Sequence, residues 1–283
     1  MKFHKSKSEI FVPGGGDVEN ALASTTDLCF AAHQDDIEIM AYGPIIACYD
    51  DPVRKFTGVC VSDGAGSPRS GPYGGYTDEQ MKEIRVEEQK NAAVIGRYGA
   101  QVFLAYTSSE IKDKNLFATV DDFEKILLAA RPEAVYTHNL ADKHDTHVAV
   151  ALRVLEAIRR LPGDTRPKKI YSMEVWRGLD WLCDSDKAVF DTSGHPNLAN
   201  ALLGVYDSQI TGGKRYDAAT IGRRMANATY FESHGVDQSE SISFALDITE
   251  LAFDPDKKPA DFINEYISRF ACEVTGRVNR FSK

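Results

Sequence analysis

Short apolar runs alternate with amphipathic helical stretches through the first two-thirds of the 283-residue chain. That alternation confines the fold to a parallel sheet assembled from strand–helix–strand units. Leu28 to Ala32 reads as the first buried strand, stopping at His33, and Ile37 to Tyr49 as a helix kinked at Gly43-Pro44. Lys55 to Val61 is the second strand, followed by a Gly/Pro/Ser-rich loop from Gly64 to Tyr76. Thr77 and Gln80 then form a capping-box signature that opens a helix running to about Tyr98. Strands over Val102 to Tyr106 and Ala134 to His138 alternate with helices over Val120 to Ala130 and Asp145 to Arg160. Beyond Pro162 the regularity fades: Lys169 to Trp176 and Ser241 to Ile248 are strand-like, while Asn197 to Gln209 and Tyr216 to Phe231 are helical. The expected architecture is a Rossmann-like, doubly wound α/β fold in a single domain. Residues 1–24 form a lead-in, 25–165 a core carrying the chemistry, and 166–283 complete and roof the sheet.

Charge and cysteine content narrow the partners. A formal net charge of −9 without any Lys/Arg-rich block excludes nucleic acid and anionic membrane as main partners, since both demand a basic patch. The five cysteines are scattered and none forms a C-x-x-C pair, which excludes a disulfide framework and a cysteine-based zinc site. Met1 to Asn20 is polar, without the apolar segment of a secretory signal, and no stretch reaches the length of a membrane span. These features describe a reduced, cytoplasmic protein acting on a small molecule.

Two polar clusters interrupt the apolar pattern, each directly after a strand. His33-Gln34-Asp35-Asp36 follows the first, and the segment from His138 through His144-Asp145-Thr146-His147 follows the fourth. In the commonest doubly wound order those strands flank the point where the strand order reverses, and ligands bind there at the strands' carboxyl ends. The inventory suits a catalytic zinc site, which offers three N/O ligands and keeps a fourth position for water. His33 and Asp36 supply two ligands and His147 the third. Asp35 is placed to take the proton of a water whose pKa zinc lowers to roughly 7. His144 lies one turn before His147 and serves as oxyanion stabiliser or proton donor to a leaving amine. Read singly, either aspartate is equally a cap for the helix beginning at Ile37, and the histidine pair a solvated helix start.

At these residues Ala31-Ala32-His33-Gln34-Asp35-Asp36-Ile37-Glu38 resembles the Ala-His-Pro-Asp-Asp-x-Glu signature of the LmbE-like, or PIG-L, deacetylases. Further elements match in order: Ser62-Asp63-Gly64, Arg85 with Glu88, Thr137-His138-Asn139, and His144-Asp145-Thr146-His147 at the family's His-Pro-Asp-His element. The likeness spans roughly residues 25 to 160. It implies one Zn2+ per chain, or another divalent transition metal, on His33, Asp36 and His147, with Asp35 as general base and His144 as its electrostatic or acid partner. The implied reaction is hydrolysis of an N-acyl, foremost N-acetyl, amide of an amino sugar such as an N-acetylglucosaminide, by a homo-oligomer. Arg85 stands where relatives bind substrate, and Asp63 is a further candidate for that crevice, as it is for a plain Asp-Gly turn. Trp176 and Arg177 end a strand where a sugar can stack or bond.

The chain departs from the family at three places. Gln34 replaces a proline, Thr146 replaces the acid before the last histidine, and Asp142 stands where some relatives have a tyrosine two residues before the first histidine. None removes a ligand, but the pKa of His144 and the oxyanion arrangement depend on what replaces those groups. Two other functions remain compatible with the residues: a metal-dependent phosphoesterase using Asp35, Asp36 and the histidines, and a catalytically impaired sugar-binding or assembly protein. His138 is expected to pack rather than ligate, and His195 and His234 to be solvent-exposed.

Overall fold

The computed structural model describes residues 1–283. Its centre is an eight-stranded sheet in the order β1-β4-β3-β2-β5-β6-β8-β7. The strands are β1 (Glu9–Phe11), β2 (Asp27–Ala31), β3 (Phe56–Ser62), β4 (Ala100–Tyr106), β5 (Ala134–His138), β6 (Lys169–Met173), β7 (Ala188–Asp191) and β8 (Ile242–Asp247). From β4 through β6 every pairing is parallel, while β1, β7 and β8 join antiparallel at the margins. The order reverses between β2 and β5, which pair directly with Leu28 opposite Val135. The two polar clusters therefore leave the sheet side by side at the switch point.

Burial on both faces explains the near-continuous apolar character of the parallel strands. Alternate residues of β2 point to opposite sides. Leu28 and Phe30 join a core with Phe123, Ile126, Val150 and Val154, whereas Cys29 and Ala31 join one with Ile45, Ala92, Leu198 and Leu202. Helix α1 (Val18–Ala23) leads from β1 into β2, and helices α2 (Asp36–Met40), α3 (Tyr42–Asp50), α4 (Asp78–Ile95), α5 (Ser108–Lys112), α6 (Ala118–Ala130) and α7 (Asp145–Arg160) connect the five parallel strands. The expected capping box opens α4, with Thr77 and Gln80 exchanging both bonds.

Several boundaries differ from expectation. The supposed lead-in carries α1 and the antiparallel edge strand β1; a three-residue strand at a sheet margin leaves too little pattern to read. Ile37 to Tyr49 is not one helix kinked at Gly43-Pro44 but two helices meeting at Ala41, and Pro44 lies in the first turn of α3, where its missing N–H costs nothing. The strand expected through Trp176 stops at Met173. The last third adds α8 (Pro196–Gly204), α9 (Asp207–Ile210), α10 (Tyr216–Thr229), α11 (Thr249–Phe253) and α12 (Pro259–Phe281), together with strand β7. Neither β7 nor α12 was anticipated. No helix is long and apolar enough to cross a membrane.

Candidate metal centre

Where β2 ends, the chain turns sharply through Asp35, whose φ of 89° and ψ of −33° lie outside the conformations a non-glycine residue prefers. Such strain persists only where surroundings over-determine it. Here Gln89 Oε1 accepts from the Asp35 N–H at 3.3 Å and Arg85 Nη2 meets Asp35 Oδ2 at 3.1 Å. Arg85 also bonds the Gln34 carbonyl and the Ser67 hydroxyl. The turn brings the Asp36 carboxylate back over the strand end, where the His33 N–H donates to Asp36 Oδ2 at 2.8 Å. From the other loop, α7 begins at Asp145 and delivers the buried His147 within its first turn.

Three donor atoms converge. His33 Nδ1 lies 3.1 Å from Asp36 Oδ2 and 3.2 Å from His147 Nε2, and His147 Nε2 lies 3.2 Å from Asp36 Oδ2. Ligands about 2.0–2.1 Å from a tetrahedral zinc stand roughly 3.3 Å apart, so this near-equilateral triangle fits one face of such a site. His144 brings a ring nitrogen within 4.8 Å of both His33 and His147, and its ring stacks on that of His147 at 4.6 Å. His138 also approaches, with Nε2 3.6 Å from Asp36 Oδ2. That nitrogen already accepts the Ala32 N–H at 2.8 Å, and its ring stacks on His147 at 3.9 Å, so it backs the triangle rather than extending it.

The carboxylate facing His147 from behind is Asp142, Oδ2 to Nδ1 3.5 Å. Asp142 is itself pinned by the His144 N–H at 2.9 Å and the Trp176 N–H at 3.1 Å. Metal-binding histidines characteristically give their second ring nitrogen to such a group, which fixes tautomer and orientation. Asp145 is exposed and makes no bond to His144, whose Nδ1 is buried without a partner.

The electrostatics follow from burial and these neighbours. Burial pushes Asp35 well above the usual carboxylate range, with Arg85 opposing. Burial acts in the same direction on Asp36, but His147 and His33 outweigh it and hold that carboxyl well below its ordinary value. Burial would lower His147; Asp36 and Asp142 reverse this and raise it. His33 is lowered by burial against the pull of Asp36. His144, desolvated and beside His33 and His147, falls to about 4 and stands as neutral imidazole.

The cluster opens into a cavity of about 610 Å³ lined by His33, Asp35, Asp36, Arg85, His144 and Trp176, among others. That volume suits a small-molecule ligand. Trp176 stands beside His144, ring centroids 6.2 Å apart, with Lys214 Nζ 5.2 Å from its ring and Tyr216 edge-on at 6.0 Å. Two expected substrate contacts lie elsewhere. Asp63 does not line this cavity and faces Lys82 at 3.2 Å, its Oδ1 accepting the Ala65 N–H in a local turn. Arg177 is exposed and donates to the Ala141 carbonyl. Sequence reasoning overlooked Gln89, Lys214, Tyr216 and the contact from Asp142 to His147. Only Asp142 carried a signal, its place two residues before His144.

Comparison with known proteins agrees with this geometry. The family model for the GlcNAc-PI de-N-acetylase, PIG-L, matches residues 28–158. No curated protein matches the sequence. Among solved structures, N,N′-diacetylchitobiose deacetylase from Pyrococcus horikoshii aligns with a TM-score of 0.61 at 18% identity, covering 81% of this chain and 86% of that one. A conserved protein from Thermus thermophilus aligns at 0.60 and 17%, covering 83% and 99%. GalB, the 4-carboxy-2-hydroxymuconate hydratase from Pseudomonas putida KT2440, aligns at 0.58 and 17%, covering 83% and 98%. At these identities the likenesses establish the fold. The segment matched by the family model, a little under half of the chain, is also the one that brings both strand-end clusters to the switch point, and over that segment the chain is similar to the PIG-L family.

Proposed function

We propose that this protein hydrolyses the N-acyl amide of an amino sugar, foremost an N-acetylglucosaminide, with a divalent metal, zinc first, held by His33, Asp36 and His147. The observation that carries the reading is the triangle of donor atoms at 3.1–3.2 Å beside an open cavity. A metal bound there supplies a Lewis acid and a water of lowered pKa.

The chain's own groups do the rest. Asp35, unable to join the triangle because Arg85 and Gln89 hold it aside, accepts the proton of the attacking water. Arg85, expected from the sequence as a substrate contact, has its guanidinium engaged with Asp35, Gln34 and Ser67, and its proposed task is to fix the base. His144, neutral and without a carboxylate partner, donates a hydrogen bond to the carbonyl oxygen as it gains negative charge. Proton return to the departing amine falls to Asp35. Trp176 offers its face to the sugar ring.

The Pyrococcus structure named above is a deacetylase and the Pseudomonas one a hydratase, so this fold alone does not choose the reaction. A phosphoesterase is disfavoured because the second carboxylate a two-metal site requires is tied to Arg85. The deciding experiment measures metal per chain together with amine release from a panel of N-acetylglucosaminides. One metal with released amine is expected. One metal without release from any N-acyl sugar would overturn the substrate reading, and failure to load any divalent ion would overturn the site.

A further inference from the structure

The cavity beside the triangle has an unbalanced wall. Its only carboxylates are Asp35 and Asp36, the one held by Arg85 and the other a corner of the triangle. Cations outnumber them, although the whole chain carries a net charge of −9: besides Arg85 they are Lys112, Lys214 and Arg223. Lys112 is exposed in the last turn of α5, where a cation answers the helix dipole, so its place is explained. Lys214 and Arg223 have no such explanation.

Both are half-buried and stand around Trp176. Lys214 Nζ lies 5.2 Å from the Trp176 ring and meets no hydrogen-bond acceptor and no carboxylate. The next residue, Arg215, lies outside the cavity and is paired with Asp217 at 2.8 Å. An acid therefore stands beside this loop, yet none faces Lys214. Arg223 donates to the Val175 carbonyl, which fixes its guanidinium next to Trp176 and leaves the other nitrogens without a bond. Glu174 feels the charge of Arg223 but makes no ion pair with it. That carboxylate is buried outside the cavity lining and is bonded by the Leu179 N–H at 2.9 Å and the Asn227 amide at 2.6 Å. Arg177, the cation expected beside Trp176, points to the Ala141 carbonyl instead.

A cation drawn out of water without a counter-ion loses hydration, and an anionic ligand restores the balance. Guanidinium and ammonium groups are the usual receivers of carboxylate and phosphate. Lys214 precedes α10 and Arg223 lies on it, both beyond the segment of family likeness, so the charge they add is this chain's own. Trp176 neighbours His144, ring centroids 6.2 Å apart, as well as Lys214. A ligand whose amide reaches the triangle therefore brings its sugar or attached group up to the two cations. We propose that the amino sugar bound here carries an anionic group, carboxylate or phosphate, on the sugar or its aglycone, and that Lys214 and Arg223 receive it. The inference takes the amino sugar from the function proposed above and adds the charge.

The test uses the metal-loaded full chain and three sugars. They are the carboxymethyl N-acetylglucosaminide, its neutral carbamoylmethyl isostere, and N-acetylglucosamine 1-phosphate. Amine release and calorimetric binding are measured on each. At least one anionic sugar is expected to exceed the neutral isostere about 10-fold or more in kcat/KM, the worth of one charge-assisted contact. Which anion gains distinguishes carboxylate from phosphate. Lys214→Met and Arg223→Met should each bring that ratio down toward one with metal content unchanged, whereas Lys214→Arg and Arg223→Lys should keep most of it. A wild-type ratio near one in both turnover and binding overturns the proposal, and any amine released then leaves amide hydrolysis standing. A ratio that neither Met variant moves overturns it too, as does failure of all three sugars to bind. Preferential binding of an anionic sugar without amine release from any of them upholds the cation pair and overturns the hydrolase reading instead.

Discussion

The two loops at the switch point reach the same triangle by opposite means. The loop after β2 is strained: Asp35 sits at φ 89°, and Arg85 and Gln89 from α4 are both spent holding it. The loop after β5 is relaxed, since His147 enters on the first turn of a regular helix and needs only Asp142 behind it. The difference follows from the work each loop is proposed to do. The two adjacent aspartates point apart, Asp36 into the triangle and Asp35 toward Arg85 beside it, and the positive-φ turn at Asp35 is where their directions diverge. A single histidine needs no such divergence.

The largest expected effect ignores this contrast. Asp36→Ala and His147→Ala each remove one corner, and each should abolish metal binding and cut amide hydrolysis by at least about 10³-fold. Metal analysis beside amine release checks both, and a variant retaining metal would remove its residue from the triangle. The next effect separates the loops. Asp35→Asn keeps the triangle, so metal content should stay at the wild-type level while turnover falls about 10²–10⁴-fold, the usual worth of a positioned proton acceptor. Parallel loss of metal would show that the strained turn serves binding rather than proton transfer. On the relaxed side Asp142→Asn should weaken metal affinity about 10–100-fold, read by competition with a chelator. An unchanged affinity would leave Asp142 as a backbone clamp for His144 and Trp176 only.

The smallest effect lies outside both loops. Asp122 on α6 is buried and bonded by Tyr106 at 2.7 Å, Lys125 at 2.8 Å and His4 at 2.8 Å. Burial would raise this carboxyl, but those donors hold it below its ordinary value. A depressed folded pKa means its stabilisation is complete above the unfolded value of about 4 and is lost as pH falls through the lower folded value. Because Lys125 and His4 are part-exposed and screened, Asp122→Asn should cost only about 1–2 kcal/mol at neutral pH. The gap from wild type should close in acid, and metal content should be untouched. Denaturant melts at neutral and acid pH check this; a gap that widened in acid would reverse the sign assigned to Asp122.

Much of this was legible in the residues. The parallel strands announced themselves as short, mainly apolar runs, because burial on both faces favours apolar side chains at successive positions, and Leu28 to Ala32 is the clearest case. The capping box at Thr77 and Gln80 located α4 for a local reason, since both partners lie within one turn. Edge elements were harder. β1 is three residues long, and β7, Ala188–Asp191, alternates half-buried and exposed positions as a sheet margin does. The clusters His33 to Asp36 and His144 to His147 were visible as polar interruptions after apolar runs. What stands around them was not, because Gln89 and Lys214 arrive from distant segments with no local pattern to mark them.

The sequence by itself determined the parallel sheet, its helical layers and the polar residues at two strand ends, because periodicity and burial act over a few neighbouring positions. The tertiary structure alone decided which groups those residues answer to. It engaged Arg85 with Asp35 at the cavity wall, sent Asp63 to Lys82, and aimed Asp142 at His147 while leaving Asp145 in solvent. Side-chain direction at a strand end depends on the crossing of separate elements, and that crossing is set by packing across the whole sheet.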